Sequence, residues 1–129
     1  MPGNPSARAA DVIKPLILAL RRDIPMELRS AAASGEYLEG VLFRPTLQRC
    51  YAILSEALGP PAKEFSQAAV FEPSIQMIIH ALGGIQFEQC LFLTPFPAEH
   101  CFVYAALWPW ASDASRVTLK VGIYERKSS

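Results

Sequence analysis

The chain contains no CxxC pair, no glycine-rich phosphate loop, no excess of either charge and no apolar run long enough to cross a membrane. Each absence removes a class of function. The longest uncharged apolar stretch, Cys101 to Ala111, falls well short of the ~18 or more residues a spanning helix needs, and Pro109 interrupts it, so no membrane segment is expected. Lys plus Arg and Asp plus Glu each number 12, and the pI is near 6.7. Nothing in that balance would draw the chain to nucleic acid or to an anionic membrane surface.

Three cysteines, Cys50, Cys90 and Cys101, form no local pair, and an odd count fits a reducing compartment better than a disulfide framework. They read as small buried hydrophobes. With only two histidines, the chain has no local Cys or His pair except His100 beside Cys101, so neither a metal nor a cofactor is expected. Neighbours on a strand point to opposite faces, which denies those two a nucleophile–base contact. Gly83-Gly84 precedes a strand instead of following one, which makes it a helix stop and not a dinucleotide loop. Met1 to Ser6, rich in Pro, Gly and Asn, leads into Arg8, Asp11 and Lys14, which is not the order of a secretory leader. A cytoplasmic protein is expected, with those six residues and the polar tail Glu125 to Ser129 unstructured.

What the chain does have is apolar surface. Its 129 residues suit a single domain, yet 51% are hydrophobic and the mean hydropathy is +0.20, high for so small a body. Some of that surface should be covered by a second chain or a ligand.

Ala9, Val12, Ile13, Leu16, Ile17 and Leu20 fall on one stripe of a helix over Ser6 to Arg22, which either starts near Lys14 or is kinked at Pro15. Asp23 and Pro25 resemble a second start signal, predicting a short helix from Met26 to Ala33. Tyr37 to Phe43 is ambiguous between strand, helical turn and connector. Pro45 opens a third helix, with Leu47, Cys50, Tyr51, Leu54 and Leu58 at helical spacing, and Gly59 closes it. Gly59 to Glu64 reads as a loop, Gln67 to Phe71 as a short uncharged run, and Ser74 to Leu82 as a fourth helix stopped by Gly83. Ile85 to Leu93, Cys101 to Trp110 and Val117 to Tyr124 read as strands. The expected fold is α+β: about four helices, mainly over residues 7–82, packed on a three-stranded or slightly larger antiparallel meander over residues 85–124.

In the last strand Val117, Leu119, Val121 and Ile123 alternate with Thr118, Lys120, Gly122 and Tyr124. Closing the hairpin at Ala111 to Ser115 sets Leu107 against Leu119, Ala105 against Val121 and Tyr104 against Gly122, where the ring would cover bare glycine backbone. Closing the earlier hairpin at Pro95 to Glu99 sets Thr94 against His100 and brings Leu93, Leu91 and Phe87 onto the helix-covered face. The opposite face then gathers Phe92, Phe102, Tyr104, Trp108, Trp110 and Tyr124, with Glu88, Cys90, Gln86, Thr118 and Lys120 among them.

So aromatic a face predicts a binding surface. The leading expectation is a non-enzymatic interaction module, homodimerising or holding a protein partner through this face. The alternative is a small-ligand or enzymatic pocket on the same face, with Glu88, His100 or Cys90 as its polar groups. If one of the chain's own helices crossed to that side, no free patch would remain.

Overall fold

The computed structural model describes residues 8–67, 71, 73–86 and 88–125. Met1 to Ser6, the middle of the Gln67 to Phe71 run, Phe87 and the tail after Glu125 lie outside the described residues.

Helix α1, Ala9–Asp23, buries Ala9, Ile13, Leu16, Ile17 and Leu20. It begins well before Pro15, so the proline is internal; the N–H it lacks would have served the carbonyl of Asp11, an exposed residue whose carbonyl water can reach. The first N–H of α1 has a partner from far along the chain. Ala9 N–H donates to Glu99 Oε1 at 2.6 Å, with Arg8 Nε 3.7 Å from Glu99 Oε2. A carboxylate capping a helix start in this way contributes roughly 0.5–2 kcal/mol. Helix α2, Leu47–Leu58, buries Cys50, Leu54 and Leu58 and ends at Gly59, whose φ of 82° is the left-handed conformation glycine adopts without strain.

Among the described residues there are three α-helices and one five-stranded antiparallel sheet. Strands β1 (Met26–Ala31), β2 (Leu38–Phe43), β3 (Cys90–Phe96), β4 (Cys101–Pro109) and β5 (Arg116–Glu125) lie in the order β1-β2-β5-β4-β3. On the first face α1 lies over β4 and β5, and α2 lies beside α1 and over β3. The core there joins Leu38, Leu42, Phe92, Val103, Ala105, Leu107, Val117, Leu119 and Val121 to both helices. Helix α3, Pro73–Ala81, lies on the opposite side, with Ile79 against Leu91 and Ala106.

The α+β class stands, but the expected four helices on a three-stranded meander are corrected to three helices and five strands. Met26–Ala31 is a strand, although its composition favours helix. Its last five residues are exposed, so pairing with β2 holds it in place, and that is invisible to a burial pattern. Tyr37 to Phe43 resolves as a strand, since Leu38–Phe43 pairs with β5.

The β4–β5 register is the one the alternation requires, with Leu107 opposite Leu119, Ala105 opposite Val121 and Tyr104 opposite Gly122. A Cβ on Gly122 would lie 2.7 Å from the Tyr104 hydroxyl oxygen. The β3–β4 register differs. Thr94 lies opposite Val103, not His100, a shift of three positions, and an odd shift turns every β3 side chain to the other face. The cause is Pro95. An edge strand tolerates proline because one of its sides needs no ladder bonds, so β3 runs through Pro95 to Phe96 and the turn starts at Pro97. Phe92 and Cys90 therefore lie in the core beneath α2, while Leu91 and Leu93 face the other way.

Candidate functional site

Pairing alone dictates what the second face of the sheet carries. Glu27, Val41, Thr118 and Trp108 form one row, Glu39, Lys120, Ala106 and Leu91 the next, then Gly122, Tyr104 and Leu93, then Tyr124, Phe102 and Pro95. Helix α3 covers the β3 and β4 side of these rows, where Ile75, Ile79, Leu82 and Ile85 meet Leu91, Leu93, Ala106 and Trp108. The expectation of a wholly bare face is corrected accordingly.

The cover is incomplete. Between the C-terminal end of α3 and the sheet lies a pocket of about 190 Å³, floored by Leu91, Tyr104, Ala106 and Trp108 and walled by Ile79, Leu82 and Ile85. Tyr37 and Lys120 complete its rim. The Lys120 ammonium lies 4.7 Å from the centroid of the Trp108 ring. Tyr37 donates its hydroxyl to Glu39 Oε1 at 2.9 Å, and desolvation followed by this carboxylate raises its pKa. Burial, with a smaller effect from Glu39, pushes the Tyr104 hydroxyl up as well. Both phenols therefore remain hydrogen-bond donors at neutral pH. Trp108 contributes a further donor: its indole N–H is buried and finds no acceptor among the described residues. Trp110 differs, because its N–H donates to Thr118 Oγ1 at 2.8 Å and Arg116 lies over its ring at 5.4 Å.

No family model, curated protein or solved structure matches the chain. The site therefore rests on its geometry.

Of the residues singled out in the sequence, Phe102, Tyr104, Trp108, Trp110 and Tyr124 do share the second face. Only Tyr104 and Trp108 line the pocket. Phe102 and Tyr124 sit opposite each other across β4 and β5, half-buried. Glu88 is exposed in the turn before β3, and His100 is exposed at the β3–β4 turn with a φ of 53°. Neither lines the pocket. Tyr37 and the α3 contribution could not be read from the sequence, because both depend on long-range placement.

Cys90 belongs to a separate polar cluster on the helical side. Tyr51 donates its hydroxyl to Glu64 Oε2 at 2.5 Å, and the Cys90 thiol points at Glu64 Oε1 at 3.9 Å. Lys63, 4% exposed, donates through Nζ to the carbonyls of Glu64 at 2.7 Å and Gln89 at 2.8 Å, while its backbone pairs both ways with Leu91. A lone lysine in the Gly59 to Glu64 loop carries no local signal of burial. Desolvation, reinforced by Glu64, pushes the Cys90 thiol up to about 12, and desolvation alone does the same to Cys50. Such thiols stay protonated and are poor nucleophiles.

A pH dependence follows. The unfolded chain ionises these cysteines near pH ~8.5, and the folded chain does so only near 12. The folded state holds the extra protons in between, so this contribution to stability is complete below pH ~8.5 and falls as pH rises above it. Tyr51, pushed up to about 12 mainly by its hydrogen bond to Glu64, acts in the same direction. The urea midpoint should drop steadily from pH 8 to pH 10.5. A midpoint that rose over this range would contradict the buried, protonated thiols.

Proposed function

We propose that this chain is a small non-enzymatic binding module whose site is the second face of the sheet, and that its ligand is a small, largely apolar molecule held between α3 and Tyr104, Ala106 and Trp108. The observation that carries this reading is a pocket between the end of α3 and the sheet, floored by Leu91, Tyr104, Ala106 and Trp108 and walled by Ile79, Leu82 and Ile85. The volume, about 190 Å³, compares with the ~150 Å³ of an apolar cavity that accepts benzene. Three buried, unpaired thiols support a reducing compartment such as the cytoplasm. Among the described residues no helix is long and apolar enough to cross a membrane.

The same face could instead serve a second copy or a protein partner through Phe102 and Tyr124, which lie outside the cover of α3. The pocket reading takes precedence because α3 already packs against Leu91, Ala106 and Trp108 on that face.

The chain has two tryptophans, so a nitrogen-15 spectrum shows two indole N–H peaks, and Trp110→Phe assigns them. Titration with benzyl alcohol should move the Trp108 peak in the wild type and leave it in place in Ala106→Leu, whose larger side chain fills the floor. No movement at millimolar concentration would overturn the pocket reading. A wild-type dimer in light scattering that Tyr124→Glu converts to a folded monomer would give the face to a second copy.

A further inference from the structure

The pocket's polar groups differ in kind from an ordinary mixture of donors and acceptors. Lys120 brings an ammonium and Tyr104 a phenol, while Trp108 keeps its indole N–H buried. The nearby carboxylate, Glu39, does not line the pocket and already accepts from Tyr37. Glu39 and Lys120 are direct cross-strand neighbours, a position in which opposite charges ordinarily pair. Among the described residues, however, no carboxylate comes within ion-pairing distance of Lys120. Its ammonium is turned the other way, towards β4 and onto the face of Trp108 at the pocket. The cation is thus held where an anion could meet it.

Resting on the pocket reading above, we propose that the ligand is a small monocarboxylate with an aromatic or short alkyl body. The body sits on Leu91, Ala106, Ile79 and the Trp108 ring, and the carboxylate accepts from Lys120 Nζ. The raised pKa of Tyr104 keeps its hydroxyl a donor to the same group. The chemistry asks for a flat or slender body, because the pocket is small, and for one negative charge, because one ammonium lines it. A phosphate monoester would bring a second charge with no second cation at the pocket. A neutral isostere would leave the ammonium without a counter-charge. Charge-assisted hydrogen bonds are roughly twice as strong as neutral ones, so the charge should dominate selectivity.

The test compares benzoate with benzyl alcohol, which share a ring and differ in the charged group. Both are titrated by calorimetry and by the indole N–H peaks. Wild type should bind benzoate at least about tenfold more tightly than benzyl alcohol, an advantage that shrinks at high salt. The Trp108 N–H peak should move with benzoate while the Trp110 peak stays in place, because only Trp108 lines the pocket. Lys120→Met should erase the preference for benzoate while keeping the affinity for benzyl alcohol, which shows that the pocket is intact. If the two probes bind wild type equally, or Lys120→Met keeps the preference, the carboxylate assignment fails and the pocket reading survives. If neither probe binds, both fail.

Discussion

Replacing Phe92 with alanine should cost about 3–5 kcal/mol of folding stability, measured as a loss of urea midpoint at unchanged slope. Phe92 is fully buried and meets Tyr51 edge-on, with ring centroids 5.4 Å apart and planes at 65°. Its partner across β4 is Ala105, a small residue that leaves the ring the space beneath α2. A domain of this size has ~5–15 kcal/mol in all, so the loss is a large share of the total. The experiment decides the register of β3. With Thr94 opposite His100, Phe92 would sit on the second face, and its truncation would cost far less. A loss under ~1 kcal/mol would restore that register and remove Leu91 from the floor of the pocket.

Lys63→Met should lower stability by about 2–3 kcal/mol, an unusual penalty for a lysine in a loop. The methionine keeps the length of the side chain but cannot donate to the carbonyls of Glu64 and Gln89. Each part-buried carbonyl left without a donor carries its own cost, roughly 1–3 kcal/mol when fully enclosed. The loss should be accompanied by faster amide exchange at Lys63 and Leu91, whose backbone bridge the side chain reinforces. A neutral or stabilised variant would mean that desolvating the ammonium cancels its hydrogen bonds. The bridge to Leu91 and the Tyr51–Glu64 hydrogen bond would then hold the segment after α2 without help from the ammonium.

Both residues show where reading from sequence succeeds and where it stops. The stripe Ile13, Leu16, Ile17 and Leu20 is legible because an amphipathic helix writes its period into neighbouring positions. The same holds for Cys50, Leu54 and Leu58. The β4–β5 register is legible because one short hairpin ties the two strands, and a single slip would turn Leu119 and Val121 to the wrong face. Tyr104 and Trp108 were recognisable as members of a shared face on that basis. Glu99, by contrast, caps the N-terminus of α1 from ninety residues away, a contact no local pattern signals.

The sequence by itself determined the α+β class, helices α1 and α2 with the glycine that ends the second, and the pairing of β4 with β5. These depend on periodicity and on neighbours a few residues apart. Only the tertiary structure decided that Met26–Ala31 is a strand, that Leu38 pairs with Val121 far along the chain, that Phe92 turns inward, and that α3 crosses to the second face to wall a pocket. The reason is that backbone pairing at a sheet edge and burial under a distant helix draw their energy from partners the local pattern does not contain. The pocket is the extreme case, since Tyr37, Ile79, Trp108 and Lys120 come from four separate stretches of chain that only the fold brings together.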